Sequence, residues 1–346
     1  MINLAVIGCG YWGVNYVRLL HEIPRARLVC VCDSRPERMA LMRQKFPLLS
    51  VTNSLDEVFD NRWVDAVVIA TPAATHHALA VRALRSGKHV MVEKPMATSV
   101  EEAEEMAAAA ADNNRVLMVG LTFLYNAGIR KLREMVSDPE FGTVYYLHCT
   151  RTNMGPVRHD VSAIWDLASH DLAICDYLLD QTPVWVQAQA STVLDHDLAD
   201  IAFLTLGYPG NILANIHVSW VDPNKVREVV VVGSQRRVLL NDLNAGEPVR
   251  VFEKGICSTR IEPDSFGEFR LQVRDGDIIS PRIAPSEPLR NQMEHFLDCI
   301  LTDRPPISDG AVGLANVRAL SAVEESLAKR GAQVEVSGYV SSHSPR

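Results

Sequence analysis

The chain carries no surplus of positive charge: 34 Lys and Arg stand against 42 Asp and Glu, for a formal net charge of −8. That balance excludes nucleic acid or an anionic membrane as the principal partner, while leaving room for a local cationic pocket facing a small anion. No apolar run reaches the ~18 residues of a membrane span. No basic-plus-apolar leader precedes the first strand, so a cytoplasmic protein is expected. Cysteine is sparse and odd in number: the seven are Cys9, Cys30, Cys32, Cys149, Cys175, Cys257 and Cys299. Most lie inside apolar runs, and Cys30 and Cys32 point to opposite faces of one strand, so reduced, buried thiols are expected. Metal-ligand spacing is also lacking. The adjacent His76 and His77 cannot comfortably face one ion, and no thiol or carboxylate stands at ligand spacing from them. No internal repeats appear, and no low-complexity segment beyond one alanine-rich helix. What remains, 346 residues that are 47 % hydrophobic and 22 % charged, is ordinary globular material, long enough for two domains.

The first third is organised around a nucleotide. Ile2 to Ile7 reads as a strand covered on both faces, and it enters Gly8-Cys9-Gly10-Tyr11-Trp12-Gly13, a complete G-x-G-x-x-G followed by a helical pattern. The first glycine permits the tight turn and the second lets the backbone approach a pyrophosphate. The third lets helix and strand pack closely, while the helix N-terminus offers free N–H groups. A second strand, Arg27 to Cys32, ends in Asp33, twenty residues past Gly13, with Ser34 and Arg35 beside it. A carboxylate there takes the ribose hydroxyls and repels a 2′-phosphate, which favours NAD; Arg35 and Arg38 keep NADP open.

The alternation continues. Ser54 to Glu57 and Ser99 to Glu102 are capping boxes. Val64 to Ala70 is a strand ending in Thr71-Pro72, Ala74 to Ser86 a helix with Gly87 past its end, and Arg115 to Gly120 a further strand. Strands and helices in this rhythm predict a doubly wound parallel sheet over residues 1–122. The most telling stretch is His89 to Pro95: an apolar strand that ends in Glu93, Lys94 and Pro95 at the rim where open α/β sheets hold their ligands.

From 123 to 346 the pattern changes to a second α/β domain, with helices at Ala127 to Val136 and Leu167 to Leu179. Strands follow at Thr143 to Thr150, Trp185 to Val193, Ile201 to Leu206, Ile212 to Trp220, Val226 to Val232 and Val238 to Leu240. Tyr208-Pro209-Gly210 reads as a hairpin turn, so this sheet is expected to be mostly antiparallel. Closing helices are expected at Pro288 to Leu301 and Val312 to Lys329, with a frayed tail after Ser341. Asp166 reads as the N-cap of the second helix, with His170 one turn on. At i and i+4 the two share a face.

The G-x-G-x-x-G opening, the acidic end of the second strand, Thr71-Pro72, Glu93-Lys94-Pro95 and Asp166-x-x-x-His170 together resemble the Gfo/Idh/MocA family, over nearly the whole chain. The resemblance implies a Rossmann domain followed by a domain with a large open sheet, and a cis Lys94–Pro95 peptide. It also implies NAD-dependent hydride transfer to or from a secondary alcohol, and a homodimer or homotetramer joined through that sheet. Lys94 and His170 are then the proton-transfer groups, Asp166 orients His170, and Gly8, Gly10, Tyr11, Trp12, Gly13, Asp33, Ser34, Arg35, Thr71, Pro72, His76, Glu93 and Lys94 line the cofactor. Stretches around Thr122 to Asn126, Arg151 to Gly155 and Ser219 to Arg227 look most like the branch that oxidises C3 of UDP-N-acetylglucosamine or its uronic acid. Leu121 departs from the histidine expected in that branch. The sugar-nucleotide contacts so implied are Lys94, Tyr125, Arg151, Asn153, Arg158, His170, Trp220, Lys225 and Arg227, since guanidinium forks suit diphosphates and aromatics suit uracil or pyranose faces. Another polyol as substrate, or an NAD(H)-sensing protein without turnover, are the alternatives.

Overall fold

The computed structural model describes residues 1–194, 197–258 and 271–338. They form two compact units, Met1–Tyr125 with Glu287–Ser321, and Asn126–Ser286 with Ala322–Arg346.

In the first unit, in chain order, stand β1 (Ile2–Ile7), α1 (Tyr11–Glu22), β2 (Ala26–Cys32), α2 (Pro36–Lys45), β3 (Ser50–Thr52) and α3 (Leu55–Phe59). Then come β4 (Ala66–Ile69), α4 (His76–Arg85), β5 (His89–Val92), α5 (Val100–Asp112) and β6 (Leu117–Val119). The six strands lie in the order β3-β2-β1-β4-β5-β6, and every pairing is parallel. All strand ends therefore share one rim, and the chain reverses direction across the sheet between β1 and β4, the crevice where such sheets hold a dinucleotide. Leu4, Val6, Val67, Val68, Val90 and Met91 are wholly buried, as strands covered on both faces require. Ser54 and Ser99 accept the amides of Glu57 and Glu102 and so start α3 and α5. Gly87, at φ +75°, lies just past the end of α4.

The second unit holds α6 (Ala127–Val136), β7 (Val144–Met154), a π-helical turn at Ile164–Ala168, α7 (Ser169–Leu179), β8 (Trp185–Ser191), β9 (Ile201–Tyr208) and β10 (Ile212–Ser219). These are followed by β11 (Val221–Gly233), β12 (Arg237–Asn241), β13 (Val249–Phe252), β14 (Gly255–Ser258), β15 (Leu271–Arg274) and β16 (Ile278–Ile279). Next in the chain come α8 (Pro288–Thr302), which belongs to the first unit, and α9 (Gly310–Ala328), within which the division at Ser321 falls; β17 (Val334–Glu335), in the second unit, is the last described strand. Nine strands make one sheet, β16-β13-β12-β11-β7-β10-β9-β8-β17. It is antiparallel except between β7 and β10. Cys149 and Arg151 of β7 meet Cys175 and Asp171 of α7, which places the helices on one face. The other face leaves Tyr146, Phe203 and Leu213 exposed, with Phe203 stacked on His217 at 4.4 Å.

Three features differ from the sequence reading. Residues 287–321 pack with the first unit instead of with 123–346, because α8 buries Met293, Phe296 and Leu297 and the Asn291 side chain donates to the Tyr125 carbonyl at 3.0 Å. β7 continues through Arg151 and Asn153, past the strand end expected at Thr150; Arg151 is paired in register with Val218 on one side and Arg227 on the other. Asp166 is no N-cap: it lies inside the π-helical turn that precedes α7. The tail after Ser341 lies outside the described residues.

Candidate active site

At the rim of the parallel sheet the glycine-rich turn has the geometry its sequence requires. Gly8 sits at φ +93°, and a Cβ there would lie 2.7 Å from the Ala70 carbonyl oxygen. At Gly13 a Cβ would run into the carbonyl of Gly8. At Gly10 the nearest atom to such a Cβ is Arg35 Nη2, at 4.0 Å, so the backbone is open to a close-lying phosphate. The turn thus fits a dinucleotide: glycine is enforced by neighbours on two sides and left open on the third, with the first amides of α1 beyond it. Tyr11 and Trp12, edge to face at 5.4 Å, are exposed at the start of α1.

Asp33 follows β2 and is nearly buried. Its Oδ2 accepts the Cys9 amide at 2.6 Å and Arg35 Nη2 at 3.2 Å; its Oδ1 accepts the Arg35 amide at 2.9 Å and Arg35 Nε at 3.2 Å. Burial alone would raise this carboxyl, but the Arg35 fork and the two amides outweigh it and hold the group below its ordinary value. Ser34 is exposed.

The next two strand ends are stitched together. His76, 1 % exposed, sets Nδ1 2.8 Å from the Pro95 carbonyl oxygen and Nε2 2.9 Å from that of Thr71. It thereby ties the end of β4 to the residue after Lys94, with both ring nitrogens turned towards main-chain carbonyls. Thr71 accepts from the Thr75 hydroxyl at 2.7 Å, and Pro72 is exposed beside it. Glu93 accepts the Tyr16 hydroxyl at 2.5 Å and the Lys94 amide at 3.1 Å. Burial, then the adjoining carboxylate, push the Tyr16 phenol well above its ordinary value. Lys94 is 8 % exposed, just past β5, and the Lys94–Pro95 peptide is cis. Tyr16 is the functional neighbour that sequence reasoning missed. It sits on the apolar stripe of α1, where a tyrosine reads as core, and its hydroxyl partner lies 77 residues away.

In the second unit, His170 and Asp166 are half-buried at the start of α7 and in the turn before it. Asp166 accepts Arg158 Nη1 at 3.1 Å, and the rest of the Arg158 fork binds Asp160 at 2.8 and 2.6 Å. Asn153 donates to the Gly155 carbonyl, ahead of a second cis peptide at Pro156. Lys225 is exposed, and Arg227 is half-buried with a loose 3.7 Å pair to Asp242. Three expected substrate contacts are spent on the protein itself. Arg151, 4 % exposed, grips Asp171 through two bonds of 2.9 and 2.8 Å. Trp220 is 2 % exposed; in the first unit, Tyr125 is fully buried with its hydroxyl 2.9 Å from that of Ser308. Leu121 is buried as well.

The strand order, the enforced glycines and the acidic end of β2 define a Rossmann domain built for a dinucleotide. Comparison with known proteins agrees. The sequence pattern of the oxidoreductase family with an NAD-binding Rossmann fold matches residues 2–121, and that of the GFO/IDH/MocA C-terminal domain matches 129–239. The chain belongs to the Gfo/Idh/MocA family. It is 29 % identical over 318 residues to a UDP-N-acetylglucosamine 3-dehydrogenase of Acidithiobacillus ferrooxidans, covering 90 % of this chain and 93 % of that one. With a scyllo-inositol 2-dehydrogenase (NAD(+)) of Bacillus subtilis it shares 23 % identity, over 88 % of each chain. The solved structure of GenD2 from gentamicin A biosynthesis in complex with NAD superposes with a TM-score of 0.81 at 26 % identity, over 96 % of each chain.

Proposed function

We propose that the enzyme moves hydride between NAD and a secondary alcohol of a sugar, with C3 of a UDP-N-acetylhexosamine or its uronic acid as the substrate position. The observation that carries the reading is the buried Lys94 ammonium at the same strand rim as the glycine-rich turn and Asp33, in a chain that shares nine-tenths of its length with a UDP-sugar dehydrogenase. The nicotinamide supplies the hydride acceptor when bound. Lys94 hydrogen-bonds the reacting oxygen; its main-chain amide is held by Glu93, which Tyr16 in turn fixes. His170 serves as the second proton-transfer group, oriented by Asp166, whose other side is anchored by Arg158. Lys225, which is exposed, and Arg227, at the edge of its 3.7 Å pair with Asp242, meet a diphosphate or carboxylate in this reading. The open face of the nine-stranded sheet, with its exposed Phe203, Leu213 and Tyr146, joins copies of the chain; sedimentation of wild type against Phe203→Glu tests this, and a monomer in both rejects it.

A second reading, a cyclic polyol as substrate, is favoured by the inositol dehydrogenase that matches over 88 % of this chain. The two separate in one assay of reduced-nicotinamide absorbance with UDP-N-acetylglucosamine, its uronic acid and myo-inositol, with a 2-oxo acid supplied in parallel to recycle bound cofactor. Turnover confined to the UDP-sugars is expected. Turnover with myo-inositol alone overturns the substrate and keeps the chemistry.

A further inference from the structure

A carboxylate at a strand end needs little to hold it, yet Glu93 is braced by three distant parts of the chain. Its Oε1 accepts the Tyr16 hydroxyl of α1 at 2.5 Å, a length that belongs to hydrogen bonds onto an ionised acceptor. Its Oε2 accepts the Lys94 amide at 3.1 Å. Behind it lies Gly120, just past β6, where a Cβ would stand 3.2 Å from Oε2 and 3.1 Å from the Glu93 Cα. Gln292 of α8 stands on the far side of the phenol. It is fully buried, as Tyr16 is, with its amide nitrogen 3.8 Å from the Met91 sulfur, and it acts on the phenol as a donor to the phenol oxygen does. All these residues belong to the first unit.

The bracing decides a charge. Burial favours the neutral acid, whereas hydrogen bonds donated to a carboxylate favour the anion. Tyr16 keeps its own proton, because burial and then the adjoining carboxylate push the phenol well above its ordinary value. The proton of the short bond therefore stays on Tyr16, and Glu93 carries the negative charge. Gln292 reinforces this, since a hydroxyl whose oxygen accepts a hydrogen bond is the better donor. The other ionisable groups around the pair in this unit are Tyr125, which acts on Tyr16, Lys94 on the same connection, and His76 of α4, against the Pro95 carbonyl.

Where the charge lies gives it a use. A dinucleotide laid across the crevice runs from β2, where Asp33 stands, over the turn after β1, to the ends of β4 and β5. Glu93 follows β5 directly and so belongs to the nicotinamide end. The two redox forms of that ring differ by one charge, the oxidised ring being a cation and the reduced ring neutral. A fixed carboxylate attracts the first and is nearly indifferent to the second.

We infer that Gln292, Tyr16 and Glu93 form a buried relay that sets the redox poise of the bound cofactor: Tyr16 locks Glu93 as an anion, and the anion favours NAD over NADH on the enzyme. Tyr16 and Gln292 are positioning residues that act through Glu93. The relay needs only the NAD site and is independent of the sugar proposed above.

Equilibrium binding to the full-length protein tests it, with no sugar present, NAD being read by tryptophan quenching and NADH by nicotinamide fluorescence. In Glu93→Gln the Kd for NAD is expected to rise about tenfold relative to that for NADH, the order of size of one nearby charge in a sheltered site. Tyr16→Phe, compared with wild type at the same pH, should show little change at about pH 8.5 and approach Glu93→Gln at about pH 6, because a buried carboxylate without its donor takes up a proton more readily. Gln292→Met, close in volume, should move the same way as Tyr16→Phe but by less. Equal weakening of NAD and NADH in Glu93→Gln makes Glu93 a structural residue only and refutes the relay. A Tyr16→Phe ratio that follows wild type at every pH refutes it as well.

Discussion

The two units solve the placement of functional groups in different ways. In the first, the candidate groups stand where parallel strands end, and main chain does much of the work: glycines with no room for a Cβ, amides at the start of α1, the Cys9 amide on Asp33. In the second, the candidates are side chains on an antiparallel sheet and a π-helical turn, and their charges are largely answered from within the unit, Arg151 by Asp171 and Arg158 by Asp160 and Asp166. A site made by backbone announces itself in the residues that make it. A site made by side chains depends on which distant residue reaches each charge first. On the proposed function, Lys94 at the rim of the first unit serves a ligand, whereas Arg151 and Arg158 in the second are first of all structural.

The largest expected effect tests the first half of that contrast. Lys94→Ala should lower kcat by about 10²- to 10⁴-fold, the usual range for a lost proton-transfer group, while NADH affinity and thermal stability barely move. Single-turnover absorbance with NADH titration alongside separates the two, and a loss confined to cofactor binding would make Lys94 a binding residue only. Next comes the opposite outcome in the second unit. Arg151→Ala leaves Asp171 buried without its partner and should lower the unfolding free energy by about 3–5 kcal/mol, read as a fall in the urea midpoint. Replacing both partners by Met and Leu should restore most of it, since a well-packed apolar pair spares two desolvated charges. If Arg151→Ala folds normally and loses only kcat/KM, Arg151 meets substrate after all and the contrast between the units fails.

This division also explains what could be read from sequence. The strand order of the first sheet follows from alternating periods and right-handed crossovers, and the rim positions of Asp33, Thr71 and Lys94 follow from where apolar runs stop. Two elements escaped: β3, only three residues long, and α2, whose charged sequence gives no apolar stripe. The fate of Arg151 did not follow either. In the sequence it opens a polar stretch and resembles a substrate contact, but β-strand alternation sends it to the helix-covered face, and Asp171 awaits it one residue after His170. Tyr125 and Trp220 failed for a related reason: an aromatic reads alike whether it packs against a sugar or against the core. Asp166 looked like a cap because the residues before it do not show that the helix has already begun in π form. α8 carries no mark in its sequence of the unit it rejoins; burial of Phe296 and its neighbours goes with its place in the first.

The smallest expected effect sets the two units against each other in pH. Asp33, held below its ordinary value of 3.8 by Arg35 and two amides, contributes stability that is present above the unfolded-state pKa and lost as pH falls through the lower native one. Asp176 on α7 behaves in the reverse sense. Burial pushes its carboxyl from 3.8 up to about 7, only partly opposed by the Tyr208 hydroxyl, which donates to it at 2.7 Å. Between those two values the native state holds a proton that the unfolded chain releases, so stability from this group is full below the unfolded pKa and declines as pH rises towards 7. The slope should be about 1.4 kcal/mol per pH unit at most, the value for one proton. Thermal melts from pH 4.5 to 8 should therefore show Asp176→Asn flattening the decline seen in wild type, because the amide keeps the hydrogen bond and has no proton to lose. Asp33→Asn should leave that slope alone, since Asp33 is already ionised throughout the range. A decline that persists in Asp176→Asn places the titrating group elsewhere, and with it the claim that the second unit keeps its ionisable groups for its own interior.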